Sequence, residues 1–100
     1  MAMKLAFMAL VPDADPRKHR CTVETEFVEL IVQLVANKDQ ALEKAKQLAD
    51  EGCGAIELCG GFGHSMTGKI ADAVRGKAAV GSVRFDIHPI LGGNSGDEVF

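Results

Sequence analysis

Hydrophobic positions along this chain change period several times, and each change marks an element. Lys4 to Val11 is a continuous apolar run of strand length that stops at Pro12. Asp13 to Arg20 is polar and reads as a loop, with room for a helical turn after Pro16. Thr22 to Ala36 is rich in Val, Thr, Phe and Ile, which predicts one long strand or two pieces broken near Glu26. From Phe27 its residues alternate. Val28, Leu30, Val32 and Leu34 share one face, and Phe27, Glu29, Ile31, Gln33 and Val35 share the other.

The period then becomes helical. Asn37 is a good N-cap, with Gln40 three residues on as in a capping box. Ala41, Leu42, Ala45, Leu48 and Ala49 form an apolar stripe, and Gly52 marks the stop. Ala55 to Cys59 is the next strand. A glycine-rich turn leads into a second helix with Met66, Ile70, Ala73 and Val74 on its inner face. Ala79 to Phe85 is the last strand, and the glycine-rich tail from Pro89 to Phe100 is expected to be irregular.

The resulting order is β-β-α-β-α-β. It predicts a small α/β fold with a mainly parallel sheet of four or five strands, joined by right-handed crossovers. If the sheet grows in one direction through both crossovers, the two main helices share one face. A chain of 100 residues makes a single domain, here residues 1–100 with a glycine-rich tail over 88–100. The other sheet face is expected to carry Glu29, Gln33, Glu57, Cys59, Ser82, Arg84 and Asp86. A parallel strand buried on both sides would not carry these residues. This half-polar face either lines a ligand cavity or meets another subunit, so a homo-oligomer is expected.

Composition narrows the classes. With no Trp or Tyr and five Phe, the core must be built mainly from aliphatic contacts. The formal net charge is −3 and no basic run exists, which argues against nucleic acid as a partner. No segment approaches the ~20 apolar residues of a membrane span, so no membrane partner is expected. The apolar N-terminal run superficially resembles a signal peptide, but Pro12-Asp13-Ala14-Asp15 is a poor cleavage site and a first strand explains it better. Cys21, Cys53 and Cys59 are an odd number without zinc-finger or CxxC spacing, which fits a reduced, cytoplasmic protein.

Open α/β sheets place ligands at the C-terminal ends of their strands. On that edge the pattern puts Asp13 and Asp15, the run Cys59 to Ser65, and Asp86 with His88. The turn Gly60-Gly61-Phe62-Gly63 would let a small anion approach N–H groups at a helix start, with Ser65 and Arg84 as further binding candidates. It matches neither the Walker loop nor the dinucleotide fingerprint, and its glycines serve a tight turn equally well. Cys59 is a candidate nucleophile, His64 or His88 a candidate base, and Asp86 or Glu57 a group to orient the imidazole. The plain structural alternative is a strand cysteine packed as a small hydrophobe. Cys59, His64, His88 and Asp86 are acceptable zinc ligands by type, but their spacing matches no zinc motif, so no metal is assigned. Nothing in the pattern names a cofactor. Glu57 and Arg84 are expected on neighbouring strands, where a cross-strand ion pair is the simple reading. The terminal Val99-Phe100 favours a docked tail over a frayed one.

Lys4-Leu5-Ala6-Phe7, Pro12-Asp13-Ala14-Asp15-Pro16, the block Glu57-Leu58-Cys59-Gly60-Gly61-Phe62-Gly63-His64, Val83-Arg84-Phe85-Asp86 and His88-Pro89 together resemble a family of small prokaryotic proteins of unknown function. The resemblance covers nearly the whole chain and implies no activity, substrate or cofactor. Two readings follow from the residues. The first is a protein that binds a small metabolite, an anion being one candidate, near the glycine turn, with room for a minor enzymatic activity. The second is a non-catalytic homo-oligomeric assembly domain whose polar sheet face is the interface.

Overall fold

The computed structural model describes residues 2–85 and 88–100. Five strands form one sheet: β1 (Met3–Leu10), β2 (Arg20–Glu24), β3 (Val28–Val35), β4 (Ala55–Leu58) and β5 (Ala79–Ser82). Their spatial order is β2-β3-β1-β4-β5. β1 pairs parallel with β3 and β4, β4 pairs parallel with β5, and only β2 runs antiparallel, against β3. The most apolar strand of the sequence is thus the central one. The Thr22–Ala36 run is two strands: the Thr25 hydroxyl accepts from the Phe27 and Val28 amides and closes the turn between them.

Helix α1 (Lys38–Asp50) begins as its sequence predicts. Asn37 Oδ1 accepts from the Gln40 amide at 2.9 Å, and Gln40 Oε1 accepts from the Ala36 amide at 2.7 Å. Past its last residue and the Glu51 C-cap, the chain turns away at Gly52, φ +103°. Helix α2 (His64–Ala73) follows the glycine turn. Both helices pack on one face of the sheet, in a single cluster with Ala6, Met8, Ile31, Val35, Ile56 and Leu58. Both crossovers advance the same way across the sheet, and right-handed connections then place both helices on the same side.

The second face differs from expectation. The strand register puts Gln33 beside Met8 and Glu29 beside Lys4, on the helix side. Ser82, opposite Leu58, is also on that side. Gln33 is fully buried, and its Nε2 donates to the Pro16 carbonyl at 2.9 Å, tying the Asp13–His19 loop to the sheet. Lys4 and Glu29 form an ion pair at 3.6 Å. The uncovered face instead carries Leu5, Phe7 and Ala9 from β1, with Val28, Leu30, Val32 and Leu34 from β3. Glu57, opposite Phe7 and Gly81, is the acidic residue that the strands place there.

Beyond β5 the chain leaves the sheet earlier than expected, so Val83 to Phe85 are not strand. Arg84 lies past the paired residues, and among the described residues it makes no ion pair with Glu57. The tail is more ordered than its glycines suggest. It forms a 3-10 turn at Pro89–Leu91 and a short helix α3 (Gly96–Val99), capped by the Ser95 hydroxyl on the Asp97 amide. No helix among the described residues is long and apolar enough to cross a membrane.

Candidate functional site at the glycine turn

The C-terminal edge of the sheet gathers the residues that carry chemistry. Cys59 follows β4 and is partly buried. Its Sγ accepts from the Gly61 amide at 3.3 Å and from the Leu10 amide at 3.4 Å, so the thiol ties the glycine turn after β4 to the end of β1. The other two thiols differ. Cys21 is exposed on β2, and Cys53 is buried under α1, where desolvation pushes its thiol up from the ordinary value.

Helix α2 starts at Gly63, which has no side chain to cap it. The tail supplies the missing cap. Asp97 Oδ2 accepts from the Ser65 amide at 2.9 Å, and Oδ1 accepts from the Met66 amide at 3.2 Å. These are the orphan N–H groups of the first turn, and the carboxylate also sits at the positive end of the helix dipole. The anion position that the glycine turn predicts is therefore filled by the chain's own carboxylate. Two glycines make this approach sterically feasible. A Cβ at Gly63 would overlap the Asp97 carboxylate, and one at Gly96 would overlap the Gly61 carbonyl oxygen.

Two hollows flank the turn. The smaller, about 250 Å³, takes Gly60, Gly63, His64 and Arg84 on one side and Asn94 and Ser95 of the tail on the other. The larger, about 490 Å³, lies between the ends of β1 and β4 and the tail. Leu10, Cys59 and Gly61 line one wall, and Leu91, Val99 and Phe100 line the other. His88 borders both. Its Nδ1 accepts from the Ile90 amide at 3.2 Å, which leaves Nε2 as the ring nitrogen free for other partners. Its ring lies 4.6 Å from that of Phe85.

The candidate residues thus separate. Cys59 and His88 share the larger cavity, whereas His64 and Arg84 open onto the smaller one, and Ser65 contributes its amide to Asp97. Asp86 lies outside the described residues. Among the described residues no three His, Cys, Asp or Glu side chains form a group able to hold a metal. Sequence reasoning missed Asp97, Leu91 and Phe100. The available signal was paired: a helix start with no capping side chain, and an acidic residue in a tail with an apolar end.

The family model that matches residues 3–98 carries the description DUF6506, a family of unknown function. The chain belongs to this family. The match spans nearly the whole chain, as the sequence resemblance implied. No curated protein and no solved structure matches it.

Proposed function

We propose that this DUF6506 member binds a small, largely apolar molecule in the cavity between the strand ends and the C-terminal tail. The observation that carries this reading is the cavity itself. Its volume of about 490 Å³ lies within the ~300–1,000 Å³ usual for ligand sites, and the 250 Å³ hollow lies below that range. An open hollow of about 790 Å³ between the Asp13–His19 loop and α1 also falls within it, but is lined by polar and charged side chains, Asp15, Arg17, Glu43 and Lys44 among them. The walls of the 490 Å³ cavity are largely apolar, and the polar side chains among them are few: the Cys59 thiol and the His88 imidazole. That division suits a ligand with an apolar body and one polar group. The same thiol and imidazole are the residues available for any minor chemistry on it.

The metabolite's charge is addressed by the glycine turn. An anionic group can reach the α2 N–H groups only by displacing Asp97. A neutral ligand leaves that cap in place. Amide NMR with two probes, indole and inorganic phosphate, separates the cases. Indole is expected to shift Leu10, Gly61 and Phe100, and Leu91→Trp, which fills the cavity, is expected to abolish the shifts. Phosphate perturbing Ser65 and Met66 would instead support an anion subsite under the tail. Indole shifts absent from Leu10 and Gly61, or confined to Leu5, Leu30 and Val32 on the sheet face, would overturn the cavity reading.

A further inference from the structure

The uncovered sheet face has no counterpart in that reading. Strand register assigns to it Leu5 and Phe7 of β1, Leu30 and Val32 of β3, and Val23 of β2. At its margins Met3 is 55% exposed and Val23 57% exposed. None of the five strands places a Lys or Arg there: Lys4 and Arg20 both lie in register with helix-side residues. Only Glu57, on β4, brings a carboxylate. The face therefore offers nothing to the phosphates of a nucleic acid or of lipid headgroups. A sheet of this class is normally covered on both sides, and this chain covers one.

Size decides what the cover is. Strands ~4.8 Å apart and four to eight residues long, at ~3.3 Å per residue, give a face of roughly 460 Å² in projection, and more in accessible area because side chains stand up from it. That approaches the ~800 Å² each partner contributes to a standard interface. A single helix, ~10–12 Å across, would cover only about half of its width. A second sheet of the same size and curvature covers all of it. We propose that two copies of this chain pack these faces together about a two-fold axis, sheet on sheet. Such an interface is isologous, so the apolar centre of one copy meets that of the other, and the two Glu57 carboxylates sit toward its margins.

Sedimentation equilibrium on the full chain tests this directly. The expected result is a dimer that Val32→Lys weakens by ~30-fold or more, because a lysine there would be buried without a partner. Its circular dichroism should match the parent. Val23→Lys, at a position already exposed in the single copy, is expected to weaken the dimer without threatening the fold, and it decides the matter if Val32→Lys fails to fold. The unaltered protein should also melt at a temperature that rises with its own concentration. A monomer with a concentration-independent melt overturns the proposal. So does a dimer indifferent to both substitutions, which would use another surface. Indole binding at Leu10 and Gly61 is read separately, so either proposal can fail alone.

Discussion

The two faces of the sheet are built from similar residues and meet different fates. On the helix side Ala6, Met8, Ile31, Ile56 and Leu58 are at most 1% exposed, beneath α1 and α2. On the other side Leu5, Phe7, Leu30 and Val32 are only half-buried, each screened by its strand neighbours alone. Apolar character therefore does not distinguish the core from the uncovered face. What distinguishes them is which face the crossovers cover, and the residue that betrays the difference is polar. Gln33 sits in the deepest layer because its amide has the Pro16 carbonyl to hold.

The largest expected effect tests that contrast. Ile56→Ala should cost about 2–5 kcal/mol, since its site is closed on every side and a cavity would remain. Leu30→Ala should cost the dissociated chain clearly less, because solvent already reaches its site. Chemical denaturation of both variants at low protein concentration measures the gap. Equal losses would mean that the open face is covered within one copy.

A second contrast lies between the sheet and the tail docked on its edge. Gly96→Ala is expected to release the tail, because the new methyl would overlap the Gly61 carbonyl oxygen while the core is untouched. Asp97→Ala removes only the cap on α2, at about 1 kcal/mol. Amide exchange should report both: Ser65 and Met66 lose protection in either variant, and Leu91 and Phe100 in Gly96→Ala to the greater extent. Protection of Ser65 and Met66 unchanged in Asp97→Ala would show that the tail carboxylate does not hold the helix start.

The smallest effect concerns the helix side's rim. Arg20 of β2 donates to both Glu51 oxygens, at 2.7 and 3.1 Å, and ties the edge strand to the end of α1. The Arg20 guanidinium holds the Glu51 carboxyl below its usual value. The folded state therefore binds that proton less readily than the unfolded chain. The pair's contribution is complete above the ordinary glutamate value, ~4.3, and is lost as pH falls through the lowered one. The side chains are 31% and 37% exposed, so Glu51→Gln should cost only ~0.2–1 kcal/mol near neutral pH. The loss should shrink in high salt and vanish in acid. A deficit that persists in acid would have to come from something other than the charge.

Element boundaries were legible where local chemistry sets them. Asn37 with Gln40 starts α1 by satisfying first-turn backbone groups. The Thr22–Ala36 run, by contrast, reads equally as one strand or two, and only the structure shows the Thr25 hydroxyl binding two amides at the break. The order of elements likewise implied parallel strands with both helices on one face, because crossover handedness is a property of L-residues. The glycine turn was readable as a place of close approach. Its occupant was not, because Asp97 meets Ser65 across 32 positions of sequence and only docking of the tail brings them together.

By itself, then, the sequence determined the five strands apart from the end of β5, and the two main helices, which follow from interactions between near neighbours. Through the handedness of the crossovers it also determined the edge where cysteine, histidine and glycines gather. Tertiary structure alone decided three things. It buried Gln33 under the helices, put Glu29 on the same side beside Lys4 and left the aliphatic face uncovered, because the register with the central β1 sets which parity each strand turns inward. It separated Cys59 from His64 and Arg84, with the glycine turn between their cavities and His88 bordering both. And it set a tail carboxylate on the open N–H groups of α2, because two glycines let distant backbones meet there.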